Sequence, residues 1–371
     1  MNKIIVAIVT VAVLLMGIVL LTDDMAMKGE DVDTARRTTI AVIMNGPRDD
    51  DGWGTAHFRA FESLRGELNL DIIYKENVPT DENCVPHVRA AIAEGARIVF
   101  ATSFGFGAPI CSISGEYPAV TFYHCTGIQE TPNVATYMGR IYQMRYLSGI
   151  AAGMQTDTNH IGYVAAMPID EVVRGINAFA LGVRSVNPEG VVHVAWTDTW
   201  MNPRREAETA AALLDRHAID VVAYHQDSDA VMQTAERRGI SAIGYNLDKS
   251  DRFPKTALTA PIWNWAPFYR TAIRDVLENK FVSRHIWNGV ETGIVDLAPL
   301  APFAKPGIEQ AIARERARLA DGSWDVFFGP VFDNAGRLRV EEGRSMSDDM
   351  LRHDFKWFVT GVSIDEQEDV P

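Results

Sequence analysis

The feature that most constrains this chain is an alternation. From Thr39 onward, short apolar runs take turns with helix-length amphipathic stretches: TIAVIMN, LDIIYKE, ARIVFATS and AVTFYHC read as strands, with HFRAFESLRGEL and PHVRAAIAEGA among the helices between them. Adjacent parallel strands need a long crossover, usually a helix, so this pattern predicts a parallel sheet covered on both faces. A second series repeats it, with HIGYVAAM, VVHVAWTDTW, IDVVAYHQ and ISAIGYNLD as strands and VVRGINAFALGVRSV, PRREAETAAALLDRH and AVMQTAERR as helices. Two series of similar size predict two similar lobes, near residues 39–130 and 137–257. The stretch TALTAPIWNWAPFYRTAIRDVLENKF reads as a strand and helix returning to the first lobe over about 258–283. Part of 284–371 is assigned to the second lobe; it holds a helix at GIEQAIARERARLADG and a hairpin signal at Asn334-Ala335-Gly336.

A chain of 371 residues, 47% apolar, is long enough for two buried cores. A net charge of -14 without a basic stripe argues against nucleic-acid or anionic-membrane surfaces as partners. Cys84, Cys111 and Cys125 are too few and too irregular for a disulfide framework or a zinc cluster, and form one bridge at most. Near the start, Lys3 precedes the apolar run IIVAIVTVAVLLMGIVLL at 4–21. At about 1.5 Å per residue it nearly spans a hydrocarbon core of roughly 30 Å, so it reads as an export signal or, if uncleaved, a membrane anchor. Residues 1–38 are therefore expected to be a signal or anchor with its spacer. The working part is expected outside the cytoplasm, in the periplasm or tethered to the membrane.

Ligands of open parallel sheets sit beyond the carboxyl ends of the strands. The loops found there are NGPRDDDGWG, SFGFGAP, HCTG, MPIDE, TDTWMNP, HQDSD, NLDKS and APIWNW. They are rich in aromatics, with Trp53, Phe104, Phe106, Tyr123, Trp200, Trp263 and Trp265, a set suited to a planar ligand. Trp263 and Trp265 equally suit a hinge or a core. Asn202-Pro203 is a helix start, with Asn as cap and Pro in the first turn. SFGFGAP fails the dinucleotide fingerprint because Ile110 stands where the third glycine belongs. GxxxxGK[ST], HExxH and GxSxG are absent, and His124 and Cys125 point to opposite faces of a strand. His225, Asp227 and Asp229 would suit a metal by residue type, but the DDD run lacks the spacing of a calcium loop. The carboxylates read instead as hydrogen-bond acceptors for a ligand, and no metal, cofactor or catalytic residue is expected.

Four stretches, in order, carry a resemblance: DDDGWGTAHFRAFE, RYLSGIAAGM at 145–154, IGYVAAMPIDEVVRGINAFALGVRSVNP at 161–188, and AIGYNLDKS at 242–250. Together they resemble the basic membrane protein (BMP) family of ABC-transporter substrate-binding proteins, which includes purine nucleoside receptors. The resemblance implies an α/β, two-lobed periplasmic-binding-protein fold of the ribose-binding type, no enzymatic activity, and an ABC permease as partner. It places the family's first-loop acid on Asp49 or Asp50, its aromatic on Trp53, and the sugar-holding carboxylate on Asp248. SFGFGAP, TDTWMNP, HQDSD and IWNGVETGIVDLAP look most like a branch associated with nucleobases such as adenine. Three departures, Asp227-Ser228 for a glycine-rich turn, Trp263 for a lysine and Asn246 for an aspartate, favour a free base over a nucleoside. The expected ligand set is Asp49, Asp50, Trp53, Phe104, Phe106, Trp200, His225, Asp227, Asp248 and Trp263, with Trp53 and Trp200 stacking, Asp50 facing the cleft and Asp51 solvated. The alternatives are a nucleoside receptor, a membrane-anchored sensory ectodomain and, last, an enzyme acting on nucleosides.

Overall fold

The computed structural model describes residues 37–365, so the apolar run at 4–21 and its spacer lie outside the described residues. The first series folds into β1 (Thr38–Ile43), β2 (Leu70–Lys75), β3 (Ile98–Ala101), β4 (Thr121–Cys125) and β5 (Val134–Gly139). With β12 (His285–Asn288) these make a six-stranded sheet in the order β12-β5-β4-β3-β1-β2. The second series gives β6 (His160–Ala165), β7 (Val191–Trp196), β8 (Val221–His225) and β9 (Ser241–Ile243). They join β10 (Ala257–Thr259) and β16 (Val362–Ile364) in a second six-stranded sheet, β10-β9-β8-β6-β7-β16, whose neighbours all pair in parallel. Helices flank each sheet, among them α1 (Trp53–Arg65), α2 (Val85–Ala93) and α3 (Gly107–Ser114) in the first lobe. Burial on both faces explains the near-continuous apolar runs: Ile40 to Ile43 and all of β3 and β8 are buried.

In each sheet the first strand of the series lies between its two successors, β1 between β2 and β3, and β6 between β7 and β8. Strand order reverses at those points, which opens a crevice at their carboxyl ends. The loops after β1 and β6 are therefore the places where sheet topology alone would put a ligand.

The strand expected at the start of TALTAPIWNWAPFYRTAIRDVLENKF is divided. Its first part, β10, stays in the second sheet, and β11 (Pro261–Trp263) pairs antiparallel with β13 (Val295–Leu297). Pro261 has no N–H to donate to a ladder, which suits the first position of a new strand. Helix α8 (Ala266–Leu277) does pack on the first lobe, where Tyr269 stacks on Phe61 at 3.9 Å between centroids. The chain thus passes between the lobes after β5, through β11 and after β12, and the β11–β13 ribbon is part of the crossing. The expected hairpin is present, with β14 (Val331–Phe332) and β15 (Leu338–Val340) antiparallel and Gly336 at φ 78°. All three cysteines are free. Among the described residues no helix is long and apolar enough to cross a membrane.

The second lobe rests on a close crossing of α4 (Ile141–Gln155) and α5 (Asp170–Val186). A Cβ on Gly149 would lie 2.1 Å from the Phe179 carbonyl oxygen, and one on Gly182 would lie 2.0 Å from that of Tyr146. Backbone cannot yield there as a flexible side chain would. Gly182→Ala should lower stability by about 1–3 kcal/mol through overpacking. Gly66→Ala, at φ -75° with nothing within 4 Å of the added carbon, should be neutral or slightly stabilising. Urea unfolding of both variants checks this; equal effects would contradict the packing account.

Candidate functional site

The loop after β1 is built residue by residue. The Arg48 guanidinium is held by Glu76 and lies 4.8 Å from the Tyr74 ring centroid, tying the loop to the end of β2. Asp49 is exposed. The Asp50 carboxylate accepts from the backbone N–H groups of Gly52 (2.9 Å), Gly54 (2.7 Å) and Thr55 (2.9 Å) and from the Thr55 hydroxyl. It thereby satisfies donors that the first turn of α1 leaves free. The acid expected to face the cleft as a ligand acceptor is thus engaged by four hydrogen bonds at the helix start, three of them on one oxygen. Gly54 is required by the same geometry, because a Cβ there would sit 2.3 Å from the Pro47 oxygen.

Asp51 adopts φ 58°, a left-handed conformation that aspartate tolerates better than most residues. It is not merely solvated. Across the cleft Lys249 donates to its backbone oxygen and lies 3.3 Å from its carboxylate, and the Arg252 guanidinium pairs with that carboxylate too. Both cations also hold Asp229, Lys249 at 3.0 Å and Arg252 at 2.6 Å. Gly52 then meets the second lobe directly, for a Cβ there would be 2.9 Å from the Asp227 oxygen. The lobes are in contact at this point, with Asp51 as the first lobe's half of a four-residue ion cluster.

Trp53 opens α1 and donates from its indole nitrogen to the Thr102 oxygen at 2.8 Å. Its ring stands edge-on to Trp263 (5.5 Å), Trp265 (5.6 Å) and His57 (4.5 Å). Those three form a column, Trp263 stacked on Trp265 at 4.7 Å and His57 on the other side of Trp265 at 4.6 Å. His57 is fully buried and hydrogen-bonds the Tyr269 hydroxyl at 2.6 Å; burial drives its pKa down to about 3, so the ring is neutral. Trp263 belongs to the crossing ribbon, and a Cβ on Gly139 would come within 2.7 Å of its ring. The aromatic wall is therefore anchored in the first lobe and in the segment that joins the lobes.

The second lobe faces this wall with the ends of β8 and β9. The Asp227 N–H donates to the Trp200 carbonyl at 3.0 Å, which ties HQDSD to TDTWMNP. Trp200 remains 39% exposed, its ring 5.9 Å from that of His225, and His225 in turn lies 4.4 Å from Tyr245. The Asn202 side chain accepts from the Arg205 N–H at 3.1 Å as the cap of α6 (Pro203–Arg216), as its position before Pro203 predicts. His225 is buried with no hydrogen-bond partner on either ring nitrogen, and burial pushes its pKa well below the usual range. Arg145 is also wholly buried; it donates to the Tyr224 oxygen, lies 4.1 Å from the Tyr245 ring centroid, and leaves two nitrogens unpartnered. Asn246 joins the two lobes' chemistry: its side-chain nitrogen donates to Asp227 at 2.9 Å, and its oxygen accepts from the Trp263 indole at 3.0 Å. Burial lifts the Asp227 carboxyl to about 7 against the lowering effect of the Asn246 hydrogen bond, with Asp50 adding to the rise.

The structure thus brings Trp53, Trp200, His225, Asp227 and Trp263 to one region and leaves others out. Phe106 is fully buried in the core between the first sheet and α2 and α3, and Phe104 is 62% exposed. Asp248 is exposed and its carboxylate accepts from the Ser250 N–H at 2.9 Å. Sequence reasoning missed Lys249, Arg252, Arg145 and Tyr245 as members of the region. Lys249 and Tyr245 lay inside the quoted AIGYNLDKS and Arg145 opened RYLSGIAAGM, but nothing in their spacing said what they would meet in the fold.

If the ion cluster helps hold the lobes together, Asp51→Asn should weaken ligand binding by roughly threefold to tenfold at low salt. Raising salt to about 1 M should shrink the difference, since exposed pairs are screened. Calorimetric titration at the two salt concentrations checks this; a loss of the same size in both would contradict an electrostatic latch.

A family model described as "ABC transporter substrate-binding protein PnrA-like" (Bmp) matches residues 37–321. A purine-binding protein of Brucella abortus (strain 2308) is 32% identical over 91% of this chain and 96% of its own length. A putative ABC transporter glucose-binding protein of Haloferax volcanii is 36% identical over 84% of this chain and 77% of its own. Among solved structures, an ABC transporter solute-binding protein from Conexibacter woesei superimposes with a TM-score of 0.68 at 19% identity, covering 78% of this chain and 98% of that one. A transcriptional activator of the comK gene from Bacillus halodurans gives 0.70 at 18% identity, covering 77% and 99%. These two likenesses establish the fold alone. Two parallel sheets flanked by helices and joined by crossing strands are the periplasmic-binding-protein fold, and the chain belongs to the Bmp family of PnrA-like ABC transporter substrate-binding proteins, which are extracytoplasmic solute receptors rather than enzymes.

Proposed function

We propose that this receptor captures a free purine base, adenine or a related flat heterocycle, between its lobes and delivers it to an ABC permease. The observation that carries the reading is the pairing of an aromatic wall with one half-buried acid. Trp53 and the Trp263–Trp265–His57 column lie on one side, Trp200, His225 and Tyr245 on the other, and Asp227 is fixed between them by Asn246. A planar ring meets π-faces at roughly 1–3 kcal/mol per stacked base, and its N–H groups have an acceptor in Asp227. The purine-binding relative in Brucella points to the same ligand class. A free base is favoured over a nucleoside because Asp248 is exposed and Asn246 is already committed to Trp263 and Asp227.

A second reading has its own support in the Haloferax relative, a putative glucose-binding protein; tryptophans also pack against sugar rings, and a sugar would be held by the same polar groups. Isothermal titration of the soluble part of the chain with adenine, guanine, hypoxanthine, urate, adenosine, inosine and glucose separates the two. Micromolar or tighter binding of a free base, with its nucleoside at least tenfold weaker, is the expected result. Binding to none of the purines overturns the proposal, and binding to glucose alone establishes the second reading.

The Asp227 carboxyl makes the proposal sensitive to pH. With its pKa raised to about 7 by burial, the group holds a proton below neutrality, and a ligand that donates an N–H to it selects the ionised form. Affinity should therefore fall as pH drops through 7, by at most about tenfold per unit, and level off above pH 8. Asp227→Asn should bind more weakly at pH 8 and lose the dependence. An unchanged pH profile in the variant would show that another group titrates.

A further inference from the structure

The end of the second lobe farthest from the cleft holds a cluster that solute capture does not use. His160 opens β6, His193 lies in β7 beside it, His217 caps α6, and Asp365 follows β16, the edge strand paired to β7. The His193 and His217 rings lie 3.8 Å apart at 19°, and His160 is hydrogen-bonded through Nδ1 to His193 Nε2 at 2.9 Å. His217 Nε2 is 2.9 Å from one oxygen of Asp365 and 3.2 Å from the other, and Arg216 also reaches that carboxylate, at 3.2 Å. His193 is 94% buried by its 6% exposure, and its Nδ1 has no hydrogen-bond partner.

We infer that His193, His217 and Asp365 form a binding site for a divalent transition-metal ion, of which zinc is the representative. One ligand atom from each lies within 4.8 Å of the others. Around a tetrahedral zinc with bonds of about 2.0–2.1 Å, ligand atoms sit roughly 3.3 Å apart, so the site needs to contract by an ångström or so. His217 supplies the movement, since its side chain is 27% exposed and it ends a helix, whereas His193 is fixed in the sheet. The two rings must tilt out of their stack, because a metal lies in the plane of each imidazole that binds it. Two imidazoles and one carboxylate suit zinc, cobalt or nickel and, without sulfur, do not suit copper(I). Three protein ligands leave a fourth position for water, and His160 is placed to orient His193 from its other nitrogen, as outer partners of metal-bound histidines commonly do.

The ligands come from three elements, β7, the end of α6 and the segment after β16. Asp365 lies beyond the 37–321 span that the family model matches, so an ion here would fasten the C-terminal edge strand to the lobe. The site is independent of the purine proposal, and either can fail alone.

The test uses zinc chloride titrated calorimetrically into the soluble chain carrying no histidine tag, with thermal unfolding followed alongside. One zinc per chain with a micromolar dissociation constant and a rise in melting temperature of several degrees are expected. His217→Ala and the isosteric Asp365→Asn should each weaken binding at least tenfold and remove the rise, while both variants bind the cleft ligand as before. No saturable zinc binding, or zinc binding of equal strength in the two variants, overturns the site; the second result would place the ion elsewhere, for instance on the exposed His87 or His353.

Discussion

The arrangement depends on one carboxylate placed at one helix start. Asp50 gathers the amides of Gly52, Gly54 and Thr55. That cap fixes where α1 begins, and the rest of the loop follows from it. Gly52 is left against the Asp227 backbone, where no side chain fits, and Trp53 is turned onto the Trp263–Trp265–His57 column. A capping bond of this kind contributes on the order of 1 kcal/mol to stability. Its larger effect is positional, because the aromatic wall and the interlobe contact lie within three residues of it.

The contacts across the cleft differ in kind. Trp263, Asn246 and Asp227 form a chain of hydrogen bonds, buried at its Trp263 end, that links the crossing ribbon to the second lobe. Asp51, Lys249, Arg252 and Asp229 form an ion cluster with two buried and two half-exposed members. A receptor of this fold is driven shut by interactions available only when the lobes meet. The ion cluster supplies some of these, and in the proposed complex the aromatic faces and the Asp227 carboxyl would supply the rest.

Much of the fold was legible because period and polarity carry it. The two βαβ series are fixed by runs such as IAVI and VVAYH, whose continuous apolar character has no place except a sheet buried on both faces. What was not legible depends on partners far away in sequence. β5 lies in VATYMG, a mixed run without clear periodicity, and β10 and β11 share one apolar stretch that is split at Pro261 by pairings to two different partners. Loop position singled out the tryptophan of RDDDGWG and the acid of HQDSD, and the structure brings those two loops together. Inside DDD a carboxylate two residues before a glycine reads equally as a ligand acceptor or as a helix cap, and only the backbone geometry shows Asp50 as the cap and Asp51 in the ion cluster. Phe106 was misplaced for a similar reason, since the 3-10 turn at Phe104–Phe106 rotates it into the core while leaving Phe104 outside.

In the proposed complex a flat ligand is held between two lobes by rings and a single acid. A crystal structure of the chain grown with adenine tests this most directly. The base is expected enclosed between the lobes, in ring contact with Trp53 or Trp200, with an N–H within hydrogen-bonding distance of the Asp227 carboxylate and Lys249 still against Asp51. A purine bound outside the cleft, or one enclosed there with Asp227 turned away and no tryptophan in contact, would contradict it.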